Sequence, residues 1–178
     1  PMTYKAKGLP KGLKLNRKTG LITGSTNTNG NFKVRLQATN EKGTDEKEIT
    51  LKIGSEIMLT PPMGWNSWNC WRFAADDQKV RDAARIMHEK LQEYGWTYVN
   101  IDDGWEADER TPEGELPANE KFPDFKTLTD YIHSLGLKFG IYSSPGWTTC
   151  GRHIGSCQHE LTDAKTWEKW GVDYLKYD

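Results

Sequence analysis

Two hydrophobic rhythms divide the chain. Up to about residue 56, apolar side chains alternate: Phe32, Val34, Leu36 and Ala38 recur every second residue, as do Ile49, Leu51 and Ile53. Successive side chains of an extended chain point to opposite faces, so period two predicts half-buried strands. Asn29-Gly30 and Lys42-Gly43 supply turns, and Lys18-Thr19-Gly20 precedes the short apolar pair Leu21-Ile22. No helical period is visible, so residues 1–56 are expected to form a small β-sandwich. Ser55 to Thr60 is expected to be a linker.

From residue 57 to residue 178 the rhythm changes to helices alternating with strands. Val80, Ala83, Ala84, Met87 and Leu91 follow helical spacing behind the capping pair Asp76-Asp77, and Gly95 ends that helix. A strand, Trp96 to Ile101, then closes on Asp102-Asp103. Asp124 caps a second helix with Leu128, Tyr131, Ile132 and Leu135 on one face; Gly136 ends it, and the strand Leu137 to Tyr142 closes on Ser143-Ser144. A third helix carries Ala164, Trp167 and Trp170, ends at Gly171, and leads into Val172 to Tyr177, which closes on Asp178. With Met63 to Trp68 as a first strand, this is an α/β pattern of four strands with helical crossovers. Such a pattern makes either an open doubly wound sheet or a closed (β/α)8 barrel. No glycine-rich phosphate turn follows the first strand, and every strand ends on polar residues that a barrel would gather at one mouth. The expectation is the first half of a (β/α)8 barrel, since a complete one takes about 250 residues.

Composition narrows the partners. The formal net charge is -1, from 24 basic and 25 acidic residues, with no basic block, so nucleic acid and anionic membrane surfaces are not expected partners. No apolar run approaches the roughly 18 residues of a membrane-spanning helix. Eight Trp in 178 residues serve a bulky core or a surface that stacks on flat ligand faces. The chain opens on Pro1 and carries three cysteines, Cys70, Cys150 and Cys157. An odd number leaves at least one without a partner, and both features are read as those of a piece of a longer protein.

The candidate chemistry sits at the strand ends. Asp102 and Asp103 suit bidentate hydrogen bonds to vicinal hydroxyls, or a metal; the alternative is an exposed turn into Gly104. Lys176 and Asp178 are two apart on a strand and share a face. A lysine there would keep the aspartate ionised, as a nucleophile requires; the alternative is a structural ion pair. Cys150, His153, Cys157 and His159 form a Cys/His cluster, but their spacing fits no standard zinc finger.

Two resemblances go further. Leu9-Pro10-Lys11-Gly12-Leu13, Gly20 to Ser25 and Phe32 to Thr39 resemble the C-terminal half of the immunoglobulin-like domains of bacterial surface and secreted proteins, which makes residues 1–56 a partial Ig-like module. Thr60-Pro61-Pro62-Met63-Gly64-Trp65-Asn66-Ser67-Trp68-Asn69, Tyr98 to Trp105, Gly136 to Tyr142 and Trp170 to Asp178 resemble glycoside hydrolase family 27, the α-galactosidases and α-N-acetylgalactosaminidases. The resemblance implies a (β/α)8 catalytic barrel and a retaining, exo-acting hydrolysis of terminal α-linked galactose, with no cofactor and no metal. By position it implies that Asp178 is the catalytic nucleophile and Lys176 a hydrogen-bonding lysine on the sugar. Asp102 and Asp103 would hold the far-side hydroxyls, and Trp68 would lie against the ring. Tyr142 and Cys150 would line the pocket, with Cys150 disulfide-bonded to a cysteine beyond residue 178. The family's acid/base falls on a later strand. Gly104 stands where many relatives have Cys, and Cys157 matches nothing in the pattern. An α-N-acetylgalactosaminidase, a non-catalytic galactoside-binding protein, a metal-dependent barrel hydrolase and an adhesion module are the rival readings. Glycan hydrolysis beside an Ig-like module implies a secreted or periplasmic protein.

Overall fold

The computed structural model describes residues 1–56 and 58–178; the expected linker, Ser55 to Thr60, includes residue 57, which lies outside the described residues. The chain divides into two compact units, Pro1–Thr60 and Pro61–Asp178.

The first unit is built from β1 (Thr3–Lys7), β2 (Leu13–Leu15), β3 (Ile22–Gly24), β4 (Gly30–Asn40) and β5 (Gly43–Ile53). β4 and β5 are the predicted alternating segments, joined by a tight hairpin in which Asn40 Oδ1 accepts from the Lys42 N–H at 2.8 Å. Their register pairs Phe32 with Leu51 and Val34 with Ile49, which puts the apolar sets on one face. β1 adds on the other side of β4, giving an antiparallel sheet in the order β1-β4-β5, while β2 and β3 form a separate two-stranded ribbon. The expected Ig-like sandwich is not clearly formed. The ribbon strands are three residues each, Val34 is the one buried hydrophobic among the described residues of this unit, and Gly43 to Glu48 of β5 are exposed.

The second unit is α/β. Four parallel strands, β6 (Gly64–Asn66), β7 (Tyr98–Asn100), β8 (Lys138–Ser143) and β9 (Tyr174–Tyr177), lie side by side in chain order. A doubly wound sheet reverses its order at a switch point; this sheet does not. The crossovers are α1 (Trp68–Trp71) and α2 (Asp77–Lys90) between β6 and β7, α3 (Phe125–Ser134) between β7 and β8, and α4 (Glu160–Trp170) between β8 and β9.

The crossover helices start and stop where side-chain chemistry says they should. Asp76 accepts from the Lys79 N–H at 2.9 Å and Asp124 from the Thr127 N–H at 3.0 Å, each satisfying one orphan donor of a first turn. Gly171 ends α4 in the left-handed region, at φ 82°, its N–H 2.9 Å from the Glu168 carbonyl. α2 buries Val80, Ala84 and Met87 as predicted, but it stops at Lys90, and Leu91 becomes an exposed cap. Behind the sheet, Trp105, Phe122, Phe125, Phe139 and Trp170 pack as one aromatic cluster; the Trp105 and Phe125 rings meet edge to face at 5.5 Å. Trp105 is fully buried, so its indole N–H needs a partner, and it donates to the Tyr142 carbonyl at 2.8 Å. That bond ties the loop after β7 to β8. Among the described residues no helix is long and apolar enough to cross a membrane.

Candidate active site

The C-terminal ends of the four strands carry Ser67 and Trp68, Asp102 and Asp103, Ser143 and Ser144, and Asp178. The register aligns Asn66 with Asn100, Asn100 with Gly140 and Gly140 with Tyr174, so groups far apart in sequence meet at one rim. Gly140 is required there: a Cβ on it would lie 2.4 Å from Asn100 Oδ1 and 2.9 Å from the Tyr174 ring.

Asp102 is the hub of that rim. Only 4% exposed, its Oδ2 accepts from Lys176 Nζ at 2.8 Å and from Asn66 Nδ2 at 2.6 Å, and its backbone N–H donates to Ser67 Oγ at 2.9 Å. Burial alone would raise this carboxyl. The hydrogen bonds from Lys176, the Asp103 N–H and Asn66 outweigh it and hold Asp102 below the ordinary carboxylate value. The Lys176 ammonium also stands 4.9 Å over the Tyr142 ring.

This revises one expectation. Lys176 was expected to pair with Asp178; among the described residues its ion pair is with Asp102. Asp178 follows Tyr177, which pairs with Ser143 at the end of the ladder. The buried Asp102 carboxylate has more to gain from a cation, so the ammonium turns there.

Asp103 is 3% exposed and sits in a tighter setting. Its Oδ2 accepts from the Gly151 N–H at 2.6 Å, while Oδ1 is buried without a partner. Glu106, 1% exposed, accepts from the Gly104 N–H through Oε2 at 2.9 Å, and its Oε1 is likewise buried and unpartnered. One oxygen of each carboxyl and one ring nitrogen of His153 lie within 4.8 Å of one another. Burial, with the charge of Asp103 behind it, pushes Glu106 up to about 8, against the opposing pull of nearby N–H groups. Tyr142 is buried, with its hydroxyl oxygen unpartnered; burial, and then the Cys150 thiol beside it, push the phenol above its ordinary value. The four Cys/His residues considered for zinc do not come together among the described residues: Cys150, Cys157 and His159 lie outside the one grouping of that kind. Cys70, Cys150 and Cys157 are all free among the described residues, and the partner that the resemblance implies for Cys150 lies beyond residue 178.

A family model for alpha galactosidase A matches residues 60–178, and an Ig-domain model matches residues 1–54. The chain belongs to glycoside hydrolase family 27. An alpha-galactosidase of Coffea arabica is 46% identical over 140 residues, covering 76% of this chain and 37% of that protein. A crystal structure from Bacteroides fragilis, assigned as an alpha-galactosidase, has a TM-score of 0.70 at 44% identity and covers 100% of this chain and 39% of that one. The Saccharomyces cerevisiae alpha-galactosidase in complex with raffinose has a TM-score of 0.65 at 39% identity, with 68% of this chain and 27% of that one covered. The chain thus spans about a third of the length of such relatives.

The backbone around Gly104 is crowded. The residue has φ +99°, and a Cβ on it would stand 2.7 Å from Cδ1 of Phe73. The Phe73 ring fills the space, packing edge to face on Trp68 at 5.1 Å and on His153 at 5.5 Å. Gly151 is equally hemmed in, by Asp103 Oδ2 at 2.6 Å and the Phe73 ring at 2.7 Å. Sequence reasoning missed Asn66, Phe73, Glu106 and Gly151. For Glu106 one signal existed, a third acid three residues after Asp103 at the same strand end.

Proposed function

We propose that this chain carries the nucleophile and much of the sugar-binding face of a retaining, exo-acting α-galactosidase built on a (β/α)8 barrel. The observation that carries the reading is the rim itself. Asp102, Lys176 and Asn66 form one hydrogen-bonded group at the ends of three strands, with the Lys176 ammonium over the Tyr142 ring, and Asp178 directly follows the strand that carries Lys176. Family membership and the alpha-galactosidase relatives support the substrate class.

Carboxylates accept hydrogen bonds from sugar hydroxyls, so Asp102 and Asp103 serve as the acceptors and Lys176 as the donor. Trp68 presents an aromatic face to the apolar side of the ring, and Tyr142 and Cys150 close the pocket wall. In the first step an Asp178 oxygen bonds to the anomeric carbon as the bond to the leaving oxygen breaks. That oxygen takes a proton from a second carboxyl group. In the second step the same group removes a proton from water, whose oxygen displaces Asp178 from the anomeric carbon. The family resemblance assigns the second carboxyl to a strand after residue 178. Asp102 stays a sugar ligand, since its pairing with Lys176 favours the ionised form and leaves no proton to donate. The site of action, on the strength of the Ig-like match of residues 1–54, is outside the cytoplasm.

The test uses the full-length protein that contains this sequence. It should release nitrophenol from p-nitrophenyl α-galactoside faster than from the α-N-acetylgalactosaminide, and NMR of the first product should show α-galactose. Asp178→Asn should lower kcat at least about a thousandfold. Surviving activity in that variant would remove Asp178 as nucleophile; a β-configured first product would remove the retaining mechanism.

A further inference from the structure

We propose that Glu106 is a positioning residue for the sugar ligand Asp103: as a neutral acid it donates its proton to the Asp103 carboxylate and locks that side chain between two donors, Glu106 on one side and the Gly151 N–H on the other. The proposal rests on the sugar-binding reading of Asp103 and adds a residue that neither the motifs nor the relatives assign.

The geometry brings the two carboxyl groups together. Each carboxyl has one oxygen committed to a backbone N–H, Asp103 to Gly151 at 2.6 Å and Glu106 to Gly104 at 2.9 Å. Each has its other oxygen buried and without a partner. The two groups approach within 4.8 Å, and neither is more than 3% exposed. Two ionised carboxylates so placed would repel each other with no water to screen them, and a single proton on one removes that repulsion. Glu106 holds the proton, consistent with its rise to about 8, while Asp103 Oδ2 accepts from the Gly151 N–H at 2.6 Å.

The surroundings favour this division. His153 brings a ring nitrogen to the pair from the loop after β8. From the segment ahead of α3, Lys121 donates to the Gly104 carbonyl at 2.7 Å and Asn119 to the Glu106 carbonyl at 3.1 Å. Tyr142, neutral, feels the Asp103 charge from β8, and Phe73 contributes no charge. Lys121 and Asn119 thus bind main-chain carbonyls, and the Asp103 side chain, held by its two donors, is preset for a sugar hydroxyl. When Glu106 ionises, Asp103 loses its donor and gains a negative neighbour, and its orientation is lost.

The experiment follows KM and kcat of the full-length enzyme on p-nitrophenyl α-galactoside from pH 5 to pH 9.5, with Glu106→Gln and Glu106→Ala beside the wild type. Wild-type KM should climb several-fold on the alkaline side with a smaller change in kcat. Glu106→Gln, whose amide donates at every pH, should lose that alkaline climb, and Glu106→Ala should show a raised KM throughout. Difference infrared spectroscopy supplies a readout independent of turnover: a protonated-carboxyl band should persist at pH 7, disappear on the alkaline side and be absent in Glu106→Gln. An unchanged alkaline rise of KM in Glu106→Gln, or no protonated carboxyl at pH 7, overturns the proposal. So does loss of activity on chelation that returns with a divalent cation, since the three groups would then be holding an ion. If no galactoside is hydrolysed by the wild type, the galactosidase reading fails, and the infrared band still decides whether the proton is there.

Discussion

Removing one partner of the Arg110–Asp163 pair should be among the most damaging single changes in the second unit. Arg110 Nη1 and Nη2 donate to the two oxygens of Asp163 at 2.6 and 2.8 Å, with the Asp163 side chain 0% and the Arg110 side chain 12% exposed. The guanidinium also donates to the Gly114 and Gly155 carbonyls, both at 2.8 Å, so one side chain fastens the loop after β7 and the loop after β8 onto α4. Asp163→Ala leaves a guanidinium in a dry setting with no counter-charge. Breaking a buried pair from one side costs about 3 to 5 kcal/mol, whereas replacing both partners by apolar groups is often neutral. In urea, with a slope of about 2 kcal/mol per molar, the single change should lower the unfolding midpoint by roughly 1.5 to 2.5 M. Arg110→Ala should do the same, and the double variant Arg110→Met with Asp163→Leu should cost clearly less than the two single losses added together. It will not be neutral, because it leaves two carbonyls without donors, at about 1 to 3 kcal/mol each where they are buried. A midpoint drop below about 0.5 M for Asp163→Ala, or additive single and double losses, would refute the argument that the pair acts as one unit.

Two further outcomes follow from the rim. Lys176→Met removes a charge-assisted hydrogen bond from Asp102, worth about 1.5 to 3 kcal/mol, so kcat/KM should fall about ten- to a hundredfold. Asp102 is held below its ordinary value, so wild-type Asp102 is still ionised as the pH falls toward that value, and the stability it contributes is lost only below it. Without Lys176 a main lowering influence is gone and the carboxyl rises from its wild-type value, so the acid limb of the activity profile should move to higher pH; an unmoved limb would count against the assignment. Gly104→Cys should destabilise this chain by about 1 to 3 kcal/mol, because it needs φ +99° and space held by Phe73. Thermal denaturation of that variant beside Gly104→Cys with Phe73→Ala measures it, and the second change should recover part of the loss.

Much of the fold was legible in the chain because its determinants are local. A side chain two or four residues away decides which face is apolar, Asp76 and Asp124 cap helices by bonding N–H groups three residues on, and Gly171 ends one because it tolerates φ 82°. Those signals order the strands and mark their polar ends; the family resemblance, not periodicity, singles out Trp68, Asp102, Asp103, Tyr142, Cys150, Lys176 and Asp178. The boundaries were less legible: β7 is three residues, not six, because pairing with β6 and β8 sets where a strand begins and stops.

Tertiary structure alone decided the partners. Lys176 is two residues from Asp178 and 74 from Asp102, yet it binds Asp102, since sheet register and burial outrank closeness in sequence. Glu106 meets Asp103 and His153, Arg110 meets Asp163, and Phe73 occupies the space beside Gly104, none of which any periodicity encodes. A pattern of apolar positions states which side of an element faces inward. It does not state which inward-facing group, arriving from another strand, will be close enough to share a proton or a charge; that depends on how the whole sheet is packed.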